Sequence, residues 1–115
     1  MCLKSEQAVV WYNKAFRSEQ EGQDNLAEVY YLKSWSLFEQ AGGSHYLNAA
    51  NALNALAFLR WSRKDYVGAL SSARQAMKIM ETYGNAYPGA DADLIRSTAA
   101  ELMEQISYEL ILVSG

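Results

Sequence analysis

Residues 53–79 read LNALAFLRWSRKDYVGALSSARQAMKI. Their reading decides the fold. Leu53, Leu56 and Ala57 recur at helical spacing, and the same helix runs on to about Arg63. Asp65 then stands where a carboxylate can accept from the free amides that open a second helix. In that second helix Ala69, Leu70, Ala73, Ala76, Met77 and Met80 fall on one stripe, three and four residues apart. The segment is therefore a helix, a tight turn and a second helix, with apolar side chains along one face of each.

Working outward, the same punctuation recurs. A first helix spans about 5–21 and stops at Gly22. A second begins at Asp24 or Asn25, with Glu28 placed to complete a capping box, and ends at Gly42 and Gly43. Ser44 is positioned to cap the third helix, and Gly84 ends the fourth. A loop at 85–89 leads to a fifth helix over about 91–113, whose stripe is Leu102, Ile106, Leu110 and Val113. No segment sustains the alternation of a strand. One proline in 115 residues agrees with long helices, because proline removes a helix hydrogen bond and clashes with the preceding turn. The expectation is an all-α fold of about five helices in a single domain, 1–115.

Shifting the chain by 42 residues lays Trp11 on Leu53, Ala15 on Ala57, Phe16 on Phe58 and Ala27 on Ala69, and puts Gly22 and Lys64 in one turn. Alanines at Ala15, Ala27, Ala57, Ala69 and Ala76 let paired helices approach, while Trp11, Leu53, Leu56 and Met77 fill the space between them. Two further matches to a known pattern stand out. Trp11-Tyr12-Asn13-Lys14-Ala15 followed by Gly22 resembles the first helix and turn of a tetratricopeptide repeat. Leu53-Asn54-Ala55-Leu56-Ala57, Asp65-Tyr66, Ala69-Leu70 and Ala76-Met77 resemble that repeat more closely. The long period, with Tyr83-Gly84 and Pro88 ahead of the next helix, is similar to the repeats of kinesin light chains. Departures are Lys14, Asp24 and Thr98, at positions where the pattern has leucine, an aromatic and leucine.

The resemblance implies a right-handed superhelical array of antiparallel helix hairpins. Its repeats would cover about 8–42 and 50–84, with a partial repeat or capping helix over 91–113. It also implies a concave face, lined by the first, third and fifth helices, that holds a peptide or helix of a partner protein. The residues expected there are Val9, Tyr12, Phe16 and Glu19, then Asn51, Asn54, Phe58 and Trp61, then Arg96, Ala100 and Met103. Asparagine amides suit a peptide backbone because each offers both a donor and acceptors. Aromatics bury large area with few rotors to freeze, and Arg96 suits a carboxylate. Plainer readings stand beside these. Asn48, Asn51 and Asn54 also serve to keep a long helix solvated, Phe16 and Phe58 also fit a core, and Trp61 also fits as a cover for the turn beneath it. The fifth helix is apolar on more than one side, so a second expectation is either self-association through Leu102, Ile106 and Leu110 or a neighbour supplied by a longer parent chain.

Other chemistry finds no support. His45 is the only histidine, and no His, Cys and Asp grouping has zinc spacing. Gly42-Gly43 lacks the lysine and hydroxyl of a phosphate loop. Glu101 and Glu104 read as a solvated face, and neither Ser71 nor Ser72 has an assignable base. The expectation is a non-enzyme without cofactor. A net charge of -3 with no basic cluster disfavours nucleic acid, with Arg60, Arg63 and Lys64 read as a solvated helix end. The N-terminus lacks a secretory pattern, no apolar run would span a bilayer, and the lone Cys2 suits a reducing compartment. A cytoplasmic location is expected.

Overall fold

A computed structural model describes residues 3–114; Cys2 lies outside them. Five α-helices follow one another: α1 (Leu3–Gln20), α2 (Asp24–Ala41), α3 (His45–Ser62), α4 (Tyr66–Tyr83) and α5 (Ala90–Ser114). A one-turn 3-10 helix, Gly84–Ala86, precedes α5. No strand occurs among the described residues.

Each helix packs mainly on its neighbours in sequence, and α3 also touches α5 and, lightly, α1. The molecule is accordingly long and flat, with extents of 49 × 33 × 20 Å. The core is divided along that length. Ala15, Ala27, Tyr31, Leu56 and Leu59 form one cluster, and Ala8, Phe38 and Ala49 another. Ala50, Leu53, Ala76, Met80, Ala92, Ile95 and Ala99 form a third; Ala57, Ala69, Leu70, Ala73, Leu102 and Ile106 form a fourth. The first two clusters join α1, α2 and α3. The last two join α3, α4 and α5 in the same manner.

The 42-residue correspondence holds down to the backbone of the turns. Gly22 and Lys64 are both left-handed, with φ of 76° and 66°. The Gln23 amide donates to the Ser18 carbonyl at 2.8 Å, and the Asp65 amide to that of Arg60 at 2.9 Å. Each is the six-to-one bond of a left-handed helix terminus. Ala15 and Ala57 are both fully buried, as are Ala27 and Ala69.

The caps differ between the two units. The Asp65 side chain accepts from the Gly68 amide at 3.1 Å, as its position predicts. A Cβ on Gly68 would press on that carboxylate, which would have to shift to admit a side chain there. At the start of α2 the cap position falls to Gln23, whose side chain makes no capping bond. Asp24 is already helical, and Asn25 and Glu28 turn to other partners. Ser44 likewise occupies its cap position without a side-chain bond.

The basic end of α3 is not simply solvated. Arg60 Nε donates to Glu28 Oε1 at 2.9 Å, and Nη1 donates to Ser72 Oγ at 2.7 Å and to the Gly68 carbonyl at 3.3 Å. One guanidinium thereby ties α3 to α2 and α4. Five planar donors make arginine fit for such a node. Arg63 Nη2 donates to Asn25 Oδ1 at 2.7 Å, closing the same gap nearer the surface.

Candidate binding surface

The face shared by α1 and α3 is built by side chains that the helical core leaves outside. With Ala8 and Ala15 turned inward on α1, Val9, Tyr12 and Phe16 emerge on another side. On α3 the burial of Ala49, Ala52, Leu53, Leu56 and Ala57 leaves Asn48, Asn51 and Phe58 exposed. Phe16 and Phe58, equivalent by the 42-residue shift, are 51% and 54% exposed. They are surface residues on both units. Trp61 leans on the Ala57 and Ala69 cluster and meets Phe58 edge to face, with ring centroids 5.6 Å apart.

Two clefts flank α3 and share its asparagines. A cleft of about 160 Å³ lies toward α1, lined by Val9, Tyr12, Phe38, Asn48 and Asn51. A second, of about 380 Å³, lies toward α5, with Ser44, Leu47 and the same Asn48 and Asn51 on one side and Asp91, Leu94 and Ile95 on the other. Burial pushes the Tyr12 phenol above its ordinary value; the side-chain hydrogen bond with Asn51 opposes that, and the Glu19 charge reinforces it. Glu19 itself accepts from the Tyr31 hydroxyl at 2.8 Å, so its carboxylate is engaged across α1 and α2.

Two expected residues are elsewhere. Asn54 is only 5% exposed, and its Nδ2 donates to the Ile95 carbonyl at 3.1 Å. It joins α3 to α5 and offers nothing to a ligand. Its Oδ1 has no hydrogen-bond partner among the described residues. Arg96 lies on the opposite side of α5 from the cleft. Its guanidinium rests against Gly84, where a Cβ would stand 2.8 Å from Nη2, and reaches Asn85 Oδ1 at 3.4 Å.

The displacement of Arg96 has a simple cause. The step from α3 to α5 is 43 residues, not 42. Ala49, Leu56 and Leu59 of α3 face α2, whereas their counterparts on α5 against α4 are Ala92, Ala99 and Leu102. One residue turns a helix position by about 100°. The α5 positions equivalent to Asn48 and Asn51 are therefore Asp91 and Leu94, which line the cleft; Arg96, Ala100 and Met103 sit one residue out of register.

Of the residues expected to mediate self-association, Leu102 and Ile106 are buried against α3 and α4. They are core, and only Leu110, partly buried at the edge of the same cluster, reaches the surface. The sequence alone also passed over Asn48, Leu47 and Leu94 as surface lining. Leu94 enters the lining through the 43-residue step, which the packing of α5 on α3 and α4 sets.

His45 is the first residue of α3, and its Nδ1 is buried without a hydrogen-bond partner among the described residues. Among those residues no group of three or more His, Cys, Asp or Glu could hold a metal ion. Nor, among the described residues, is any helix long and apolar enough to cross a membrane. Comparison of the chain with family models, with curated proteins and with solved structures returned no match.

Proposed function

We propose that this chain is a tetratricopeptide-like array that captures an extended peptide segment of a partner protein in the trough crossing α1, α3 and α5. The observation that carries the reading is the pair of clefts meeting at Asn48 and Asn51. A peptide laid across the helices would pass over both amides, each able to donate and accept along a backbone of any sequence. Phe16 and Phe58 repeat at equivalent places and expose flat apolar rings that a ligand side chain can cover. A right-handed superhelical curve of the hairpins would make this face concave, as stacked helix pairs do. On this reading the activity is binding, without cofactor or catalysis, in a cytoplasmic setting.

The test is selection from a displayed library of random peptides, followed by titration of the selected peptides. Asn51→Ala combined with Phe58→Ala should weaken them by about tenfold or more. Both side chains are exposed, so helix content and melting should stay close to those of the parent. Amide shifts on binding should map to α1, α3 and the start of α5. Peptides that bind the double variant unchanged, or shifts confined to α2 and α4, would overturn the reading.

A further inference from the structure

The fifth helix is longer than its fellows: 25 residues against 18 for each of the other four. The extra seven residues amount to about 10 Å of helix. Burial stops at Ile106, and beyond it Tyr108, Ile111, Leu112 and Val113 are all exposed, Ile111 by 68%. Four large apolar side chains within six residues form a patch that a lone soluble helix end does not ordinarily present. It is also acidic, with Glu104 and Glu109 beside it, and α5 carries five carboxylates against the single Arg96.

At the root of this overhang lies an open seat between α4 and α5. It is a cleft of about 370 Å³ with Val67, Leu70 and Leu110 as its apolar floor and Arg74 and Lys78 on its rim. Its lining comes from α4 and from Leu110 alone, with no third helix among the described residues contributing to it.

We propose that residues 107–114 of α5 dock into the α4–α5 seat of a second copy, giving a two-fold dimer in which each subunit supplies both seat and occupant. The overhang is helical, apolar and anionic, and the seat is apolar with a cationic rim. Tyr108, Ile111 and Leu112 fill the floor, and Glu109 meets Arg74 and Lys78. Seat and overhang share Leu110, which brings them next to the symmetry axis and makes the contact self-complementary. The trough meets α5 only near its start, at Asp91, Leu94 and Ile95, away from residues 107–114, so the dimer stands or falls independently of peptide capture.

Sedimentation velocity over a concentration series tests this. The parent chain should pass from monomer to dimer in the micromolar range, less readily in high salt. Ile111→Asp with Leu112→Asp should weaken association by about tenfold or more, with unchanged circular dichroism because neither side chain is buried. Arg74→Glu with Lys78→Glu should also yield monomer, as should Glu104→Lys with Glu109→Lys. An equal mixture of these two charge-reversed proteins should dimerise, because both contacts then pair opposite charges. A parent that remains monomeric into the high micromolar range overturns the proposal. So does a dimer indifferent to the Ile111 and Leu112 changes, or a mixture that stays monomeric.

Discussion

Gly22 and Lys64 hold the same left-handed turn, one with the residue suited to it and one without. A Cβ at positive φ crowds the backbone by roughly 1–2 kcal/mol. Lys64→Gly should therefore stabilise the domain by up to about 1 kcal/mol, after allowing for the greater freedom of an unfolded glycine. Gly22→Ala should cost about 1 kcal/mol. Chemical denaturation of the two variants measures both signs. Asn54 supplies a second prediction. Asn54→Ala removes a buried bond to the Ile95 carbonyl and should destabilise by about 1–2 kcal/mol. Its effect on peptide binding should be no more than its effect on folding.

Tyr31 fixes the response to alkali. Its phenol is pushed well above the ordinary value of 10.0, first by burial and then by donating to Glu19, whose charge opposes ionisation. The unfolded chain ionises this group near 10, while the folded chain still holds the proton. The stability it contributes is complete below pH 10 and drains away as pH rises further. Urea midpoints should fall steeply above pH 10 in the parent and less steeply in Tyr31→Phe, which keeps the packing but cannot ionise.

At the scale of elements, α2 and α4 are the same helix with different caps. Gln23 and Asp65 are 42 residues apart and have nearly identical backbones, φ -92°, ψ 67° and φ -84°, ψ 74°. Only Asp65 caps with its side chain. Asp65→Ala should cost about 1 kcal/mol, and Gln23→Asp should add about 0.5–1 kcal/mol, since an aspartate there also faces the positive end of the helix. Thermal melts of the two variants check the pair. Should Gln23→Asp have no effect, the likeness of the two units would be confined to the backbone. From sequence Asp24 and Asn25 compete for one cap position, with Glu28 spaced to complete a box, because adjacent short polar side chains suit a cap equally. The tight turn after Gly22 chose Gln23 and released Glu28 to Arg60.

At the scale of the molecule, packing between neighbours makes protection uneven. The helix α3 buries eight residues and is held from both sides, whereas the last residues of α5 are held by none of the core clusters. Native-state hydrogen exchange should find the slowest amides in α3 and α4 and the fastest in the last two turns of α5 at low concentration. Uniform protection throughout would indicate that the array unfolds as one unit.

The sequence by itself determined the helices, the turns at Gly22 and Lys64, the Asp65 cap and the pairing of alanines at a 42-residue spacing. These rest on backbone geometry and helical periodicity, which act within a few residues. Placing Phe16, Asn51 and Phe58 on the surface followed from that periodicity once the inward face was known. The fates of Asn54, Arg60, Arg96, Leu102 and Ile106 were decided by tertiary structure. Each depends on the azimuth at which one helix meets another, and a single residue of loop before α5 rotates every later side chain by about 100°. Local patterns carry no record of that rotation, because it is fixed where α5 settles against both α3 and α4.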